Sequence, residues 1–314
     1  MGYTACVLGC GTMGVAITSG VLASLQSRGT LSGVSAAKWE SHTPGTSTPA
    51  NEPEADPSLP HRFLVCVKRD ESARNLLNTF APFFGLGPSV DIVVANNVSA
   101  TKEADVVLLC CKPHQAHAIL SEPGMTEALK GKLLISILAG VTISQISGWV
   151  HSETKVIRAM PNTPCKIREG MTVVTTLPES DSVELDRSII LKIFSSIGRC
   201  RFLDEKHFDA CTAVSGSGPA FACIFLEAIA DGGVMMGLPR AEALELAAQT
   251  LQGAARMVLQ SNSHPAQIKD AVTTPGGCTI AGLLALEDGR VRSTIARAIQ
   301  VATERASELG QQGK

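Results

Sequence analysis

The sequence predicts an α/β protein in which a Rossmann-type, doubly wound and largely parallel sheet is followed by an all-helical C-terminal domain. Residues 1–205 alternate apolar runs of strand length with helical patterns, as parallel sheets with crossover helices do. A glycine-rich turn, Gly9 to Gly14, follows the first of these runs. Residues 206–314 carry long helical patterns and no convincing strand. A chain of 314 residues exceeds the size at which single cores usually stop growing, so two domains are expected.

The predicted strands of the first domain are short, continuous apolar runs. They lack the alternation of polar and apolar residues that a half-exposed sheet shows, so helices are expected on both faces of the sheet. Helical patterns at 14–25 and 182–198 fit these crossovers. The runs are TACVLG (4–9), FLVCV (63–67), DIVVA (91–95), DVVLLCC (105–111), LLISIL (133–138), KVIRAM (155–160) and MTVVTT (171–176).

One segment of the first domain, residues 35–61, fits neither pattern. It is rich in Pro, Ser, Thr, Glu and Asp and has too little apolar surface to fold by itself. We expect a mobile insertion that displaces the second strand to 63–67. In the second domain the helical patterns are rich in alanine, at 219–236, 240–261 and 290–309.

Composition and charge narrow the classes of function. With 45% hydrophobic residues, 18% charged residues and a formal net charge of −2, neither a nucleic acid nor an anionic membrane is expected as the main partner. No apolar run approaches the roughly 20 residues that span a bilayer. The N-terminus lacks signal-peptide features, and the ten cysteines include no C-x-x-C pair. We therefore expect reduced thiols, no membrane and a cytoplasmic protein. His114 and His117 lack a third candidate ligand nearby, so no metal site is expected.

The turn LGCGTMG (8–14) carries the first functional hypothesis. It places G-x-G-x-x-G directly after a predicted strand and at the start of a predicted helix, where this pattern binds a dinucleotide. Gly9 permits the tight turn, Gly11 lets the backbone approach a pyrophosphate, and Gly14 lets helix and strand pack closely. The alternative is a tight turn that binds no ligand. The predicted cofactor-binding residues of this turn are Gly9, Cys10, Gly11, Thr12, Met13 and Gly14.

Lys68 and Arg69 follow the predicted second strand and bear on the choice of cofactor. An acidic residue after this strand suits the ribose hydroxyl of NADH, whereas cations suit the 2′-phosphate of NADPH. The sequence therefore favours NADPH, with NADH as the second choice. The alternative is a solvated basic pair before a helix that Asp70 caps.

Three further loops are expected at the edge of the sheet where its strands end. Lys112–Pro113 stops one strand, and loops within 137–144 and 160–170 hold comparable places. Ligands bind at this edge in doubly wound sheets. Each loop alone is compatible with a simple turn, but beside the glycine turn the three indicate a cleft.

The predicted helical domain contains two breaks rich in glycine and hydroxyl groups. One is TTPGGCT (273–279), between two long helical patterns, and the other is SGSGP (215–219). Glycine backbone exposes its amides to a ligand, so we predict a backbone cup for a small carboxylate. The alternative is a bare interhelical loop. The predicted substrate-binding residues of the two breaks are Ser215, Ser217, Gly276, Gly277, Cys278 and Thr279.

Seven motifs in the same order over nearly the whole chain resemble the pyrroline-5-carboxylate reductase family, most of all its fungal members. Its enzymes reduce a cyclic imine to L-proline with NAD(P)H, the last step of proline biosynthesis. The resemblance implies a Rossmann domain and a helical domain that forms a homodimer, and decamers are known in the family. The motifs are LGCGTMG, CCKPH, SILAGVTIS, RAMPNTP, VSGSGPAF, DGGVMMGLPR and TTPGGCTIAGL.

The resemblance also implies roles for particular residues. Cys111, Lys112, Pro113 and Ala139 would line the nicotinamide side of the cofactor, and Asn97 would contact its ribose. Glu205, Gly277, Cys278 and Thr279 match positions near bound proline, with the Thr279 hydroxyl as the catalytic group beside the ring nitrogen. Ala271 departs from the family, because some relatives have an asparagine there that touches NADPH.

The chemistry of an imine fits a chain with no evident general acid. A protonated C=N accepts hydride once it is bound, oriented and shielded from water. A ketone would need a proton donor for the developing alkoxide. Two rival hypotheses remain: a related dehydrogenase acting on a β-hydroxy acid or an alcohol, and a non-catalytic regulator that binds NADPH.

Overall fold

A computed structural model describes residues 2–30, 56–85, 87–261 and 263–311 of the chain. The chain divides into two compact units. The first unit comprises Met1–Cys211 with Ser307–Lys314, and the helical unit comprises Thr212–Ala306. The sequence placed the division at 205/206. It lies later because the segment after the last strand belongs to the first unit, where Phe208 is fully buried and Asp209 accepts a 2.7 Å hydrogen bond from Ser307.

The first unit is built on one eight-stranded sheet, with strand order β3-β2-β1-β4-β5-β6-β7-β8. All neighbouring strands are parallel except β6 and β7, so the doubly wound prediction is confirmed. The eighth strand was not among the predicted runs, because it alternates more and less exposed residues. The strands are β1 (Tyr3–Leu8), β2 (Pro60–Val67), β3 (Ser89–Val94), β4 (Val106–Leu109), β5 (Leu133–Ser136), β6 (Lys155–Met160), β7 (Gly170–Thr175) and β8 (Gly198–Leu203).

Helices cover both faces of this sheet. One buried cluster packs α1 (Thr12–Thr30), α2 (Asp70–Phe80) and α7 (Val183–Ser195) against the strands. A second cluster packs four shorter helices against the strands. These are α3 (Asn97–Glu103), α4 (Ala116–Leu120), α5 (Met125–Ala128) and α6 (Ile143–Ser147). The continuous apolar strands of the sequence are therefore explained by burial on both faces. A short helix, α8 (Phe208–Cys211), ends the main part of this unit.

The predicted insertion is described only at its end, since residues 31–55 lie outside the described residues. There the structure differs from the prediction. The Asp56 carboxylate pairs with the Lys192 ammonium on α7 and accepts a hydrogen bond from the Ser58 hydroxyl. This ion pair lowers the pKa of Asp56 to about 2. Pro60 already begins β2, so the last six residues of the predicted insertion are part of the packed fold.

The helical unit contains no strand among its described residues. Its helices are α9 (Gly218–Met235), α10 (Arg240–Ser261), α11 (Pro265–Ala271), α12 (Cys278–Asp288) and most of α13 (Val291–Gln311).

One helical stretch departs from the expectation that no apolar run could span a bilayer. By length and composition, Glu205–Met235 is long and apolar enough, with a mean hydropathy of 1.5, among the residues that the structure describes. Several of its large side chains are exposed, including Ile224 at 64% and Met235 at 82%. The sequence reading missed it because glycines and Asp231 interrupt the apolar run. A large exposed apolar surface of this kind marks an interaction face.

Candidate active site

The turn after β1 has a backbone that requires glycine at Gly9 and leaves little room for a side chain at Gly14. Gly9 has φ +83°, and a Cβ there would lie 2.7 Å from the Cys111 Cα. At Gly14 a Cβ would lie 3.3 Å from the Cys10 Sγ. At Gly11, in contrast, a Cβ would meet no atom within 4 Å among the described residues. Gly11 is therefore not needed for packing, which fits a position kept open for a ligand.

The start of α1 suits an anion. The helix begins at Thr12, directly after the turn, and its first turn carries no acidic side chain. Burial raises the pKa of the Cys10 thiol to about 12, so this thiol is neutral at physiological pH. No thiolate or carboxylate of this turn therefore lies beside the partial positive charge of the helix N-terminus, where it would compete with a phosphate for that charge. The residues fit the pyrophosphate of a dinucleotide.

The turn lies where the order of the sheet reverses. β1 has β2 on one side and β4 on the other, and both neighbours are parallel to it. The loops that hold Lys112 and Ala139 follow β4 and the adjacent β5, so they share the carboxyl edge of the sheet with Gly9. Such a switch point is the crevice in which doubly wound sheets bind ligands.

The two loops beside the turn have defined conformations. Pro113 begins a short 3₁₀ helix, and Lys112 before it is extended and exposed. Burial raises the pKa of the Cys111 thiol to about 11, so it too is neutral. In the next loop Gly140 adopts φ +74° directly after Ala139. The predicted nicotinamide-side residues therefore bring one cation and no anion to this edge.

Lys68 and Arg69 occupy the place that the sequence predicts for them. β2 ends at Val67 and α2 begins at Asp70. Both basic residues are exposed, and neither forms an ion pair with another described residue. Asp70 does not cap the helix, because the cap position is Arg69, in an extended conformation without a side-chain cap bond. The structure therefore contradicts only the cap by Asp70, and two exposed basic side chains fit both a cofactor contact and a solvated pair.

Asn97 is the first residue of α3, after β3. Its side-chain nitrogen donates a 2.7 Å hydrogen bond to the Glu122 Oε1. This bond fixes the amide and leaves its carbonyl oxygen as the group that can accept a hydrogen bond from a ribose hydroxyl. The predicted ribose contact stays a prediction.

Glu205 belongs to the first unit, whereas the other predicted substrate residues belong to the helical unit. Its Oε1 accepts a 3.0 Å hydrogen bond from the Ile143 amide and lies 3.2 Å from the Arg158 Nη1. Sequence reasoning missed Arg158. The available signal was an arginine in the middle of the largely apolar run KVIRAM, where an unpaired charge is costly.

The second break of the helical unit is a tight turn that leads into α12. The Gly277 amide donates a 3.1 Å hydrogen bond to the Thr274 carbonyl, and Gly276 has φ +66°. Gly277 occupies the cap position of α12, so no side chain caps this helix. Thr279 is half-buried inside the first turn, and its hydroxyl has no partner among the described residues. A role for Thr279 as no more than a helix cap is therefore not supported.

The first break has a similar form. One π-helical turn, Thr212–Gly216, precedes α9, and Ser217 lies at the cap position without a side-chain cap bond. The Ser217 amide donates a 2.9 Å hydrogen bond to the Thr212 carbonyl. In the first turn of α9 Pro219 has no N–H, and the Ala220 and Phe221 amides donate to the Ser217 carbonyl, so these amides are not open to an anion.

Metal ligands do not cluster in the part of the chain that the structure describes. Of the H-x-x-H pair, His117 packs edge-on against Trp149, with ring centroids 5.2 Å apart. This contact gives His117 a packing role.

A turn that requires glycine, at the switch point of a doubly wound sheet, places the chain in the class of two-domain dinucleotide-binding proteins. Comparison with known proteins narrows that class. A family model described as pyrroline-5-carboxylate reductase dimerisation matches residues 205–309. Another, described as NADP oxidoreductase coenzyme F420-dependent, matches residues 48–140.

Individual proteins match over nearly the whole chain. The pyrroline-5-carboxylate reductase of Lophium arboricola is 49% identical, over 98% of this chain and 93% of its own length. That of Schizosaccharomyces pombe is 45% identical, over 97% and 98%. The solved Plasmodium falciparum pyrroline carboxylate reductase, with NADP bound, aligns with a TM-score of 0.71 and 26% identity over 98% of both chains. The chain belongs to the pyrroline-5-carboxylate reductase family, which confirms the resemblance seen in the sequence.

Proposed function

We propose that this chain reduces the cyclic imine pyrroline-5-carboxylate to L-proline, with NADPH as the hydride donor. The observation that carries the proposal is the 49% identity to a fungal pyrroline-5-carboxylate reductase over almost the entire chain. The glycine turn and both breaks of the helical unit lie inside this match. The glycine turn at the switch point of the sheet supports a dinucleotide site in the first unit.

The residues contribute binding and orientation. When bound, the cofactor would supply a hydride to the carbon of C=N, and the electron pair of that bond would move to the nitrogen, which is already protonated. The Cys278 backbone amide at the start of α12 and the turn before α9 would hold the substrate carboxylate, while the Gly277 amide closes the turn onto Thr274. The Thr279 hydroxyl would orient the ring nitrogen through a hydrogen bond. No side chain has to deliver a proton to an oxygen, as ketone reduction would require.

Lys68 and Arg69 support NADPH as the preferred cofactor. Two exposed cations without described ion-pair partners follow β2 directly, where the 2′-phosphate of NADPH is bound in this type of fold. A phosphate gains more from two cations than a neutral ribose hydroxyl does. NADH would bind the same turn more weakly.

The dimerisation region indicates an oligomer, and we propose a homodimer formed by the helical unit, with decamers of five dimers as a further level. The exposed apolar side chains of α9 then face another copy rather than a bilayer. All ten cysteines are free, which suits the reducing cytoplasm that we propose for the protein.

One experiment separates this function from its rivals. NADPH absorbance is followed in mixtures of NADPH with pyrroline-5-carboxylate, of NADPH with 3-keto acids and, in the opposite direction, of NADP+ with 3-hydroxy acids. We expect turnover only with the imine, and L-proline as the product. Turnover only with the keto acids would establish a β-hydroxy-acid dehydrogenase. Tight NADPH binding without any turnover would establish a regulator.

A further inference from the structure

Arg158 is a charged side chain in the middle of an apolar strand. It is the fourth residue of β6, and its side chain is only 7% exposed. Its backbone amide donates a 3.1 Å hydrogen bond to the Thr175 Oγ1 on β7, so its position along the sheet is fixed. A buried guanidinium is costly unless other groups pair with it. The groups that pair with Arg158 therefore indicate what the buried guanidinium does.

The partners of Arg158 lie in the segment that follows β8. Its Nη1 is 3.2 Å from the Glu205 Oε1, and its guanidinium lies over the Phe208 ring, 4.9 Å from the centroid. One contact is ionic and the other is a cation–π contact on a fully buried ring. Arg158 therefore fixes this segment at two points, three residues apart.

The Glu205 oxygen that pairs with Arg158 also contacts the start of α6, directly after the loop that contains Ala139. The Glu205 Oε1 accepts a 3.0 Å hydrogen bond from the Ile143 amide, the first of α6. Thr142, at the cap position of α6, already bonds Gln145 in a reciprocal pair. Glu205 thus satisfies a backbone donor that the local cap leaves open. Through one oxygen atom, Arg158 is connected to the start of α6 and to the loop that contains Ala139.

The ion pair is what keeps this carboxylate in place. Glu205 is 33% exposed, so without Arg158 it could turn to water and leave the Ile143 amide. One neutral amide holds a carboxylate less firmly than an amide and a guanidinium together. We propose that Arg158 is a positioning residue for the reaction: it orients the Glu205 carboxylate and, through it, the start of α6 and the loop before it. This rests on the proposed function only where activity is measured.

The kinetic test uses Arg158→Met, Glu205→Gln and the double variant. Arg62→Met is the matched control, because Arg62 lies on another strand of the same sheet and pairs with Asp91 and Glu103. We expect Arg158→Met to lower kcat/KM for the imine about 10-fold or more, the range for hydrogen bonds to charged groups. In the Glu205→Gln background, Arg158→Met should lower kcat/KM by a further factor of less than about 2, because both substitutions remove the same interaction. Arg62→Met should leave kcat/KM unchanged.

Losses that multiply in the double variant would overturn the proposal, because Arg158 would then act independently of Glu205. A loss no larger than that of Arg62→Met would overturn it too. Should Arg158→Met not fold, Arg158→Lys replaces it in the same cycle. The lysine keeps the charge without the planar fork, so it should recover part of the activity and remain coupled to Glu205.

A second measurement requires no substrate. Hydrogen exchange of the peptide that covers 137–147 should become faster in Arg158→Met than in the wild-type protein, and should stay unchanged in Arg62→Met. Unchanged exchange in Arg158→Met contradicts the proposal whatever the enzyme does. A wild-type protein that fails to reduce the imine would instead contradict the proposed function, while the exchange result still decides the role of Arg158.

Discussion

The first unit and the helical unit bury different kinds of side chain. Four phenylalanines are fully buried in the first unit: Phe63, Phe80, Phe194 and Phe208. In the helical unit the buried residues are four alanines, among the residues described, whereas its long apolar side chains are largely exposed. The first unit thus completes its own core. The exposed apolar surface of the helical unit resembles that of an obligate interface, in which a second chain covers the apolar side chains.

The largest expected effect comes from a charge on the exposed apolar face of α9. Ile224→Glu should weaken the dimer about 100-fold or more, because a carboxylate would be buried without a partner at the interface. Size-exclusion chromatography with light scattering measures this as monomer or as insoluble protein.

The control for Ile224 is Ile167, which is 73% exposed on the first unit. Ile167→Glu should leave the assembly unchanged, since the first unit needs no second copy to complete its core. An unchanged dimer in Ile224→Glu, or a monomer in Ile167→Glu, would remove the distinction between the two units.

The next effect is within the first unit, at the glycine turn. Gly9→Ala should lower the free energy of unfolding by about 2 kcal/mol or more, because φ is positive and the new Cβ meets the Cys111 backbone. Gly11→Ala should leave stability unchanged, since that Cβ enters open space, but should weaken NADPH binding at the pyrophosphate. Thermal unfolding and NADPH titration separate these outcomes, and equal stability losses would show that Gly11 has a packing role.

The first unit was the more predictable of the two. Its strands stand out because burial on both faces makes them continuous apolar runs, and the site loops follow from where those strands end. β8 was missed because it alternates exposed residues such as Arg199 and Arg201 with more buried ones. The compact units divide at 211/212, because tertiary contacts assign Phe208 and Asp209 to the first unit, whereas the matched dimerisation region begins at residue 205.

Within the site, the turns were predictable and the side-chain partners were not. Glycine patterns fix Gly9 and Gly276 locally, through backbone conformations that other residues seldom adopt. The bond from Ile143 to Glu205 joins residues 62 positions apart, and that from Asn97 to Glu122 joins residues 25 apart. Such pairs depend on how strands and loops are arranged in space, which a local pattern does not specify.

Thr279 tests whether the glycine break of the helical unit is a binding site or only a turn. Thr279→Ala should lower kcat/KM for the imine by a factor of roughly 2 to 150, the range for one hydrogen bond to a neutral or a charged partner. Thr279→Ser should restore most of the activity. The melting temperature should hardly change, because Gly277 and not Thr279 occupies the cap position. A fall in melting temperature with normal kinetics would give Thr279 a structural role and leave substrate binding to the backbone amides.

The smallest expected effect concerns the choice of cofactor, and it tests whether the first unit alone sets that choice. Lys68→Ala with Arg69→Ala should raise KM for NADPH about 10-fold and leave KM for NADH nearly unchanged, because only NADPH carries the 2′-phosphate that two exposed cations would bind.

The matched control removes Arg199 and Arg201, two exposed cations on β8, at the opposite edge of the sheet from β2 and β3. If general attraction between the protein and an anionic cofactor were responsible, both double variants would raise KM for NADPH alike, and by less at high salt. A rise confined to the first variant and to NADPH assigns the preference to the end of β2. Equal losses for NADH and NADPH in that variant would mean that Lys68 and Arg69 support the shared part of the cofactor, and that the preference arises elsewhere.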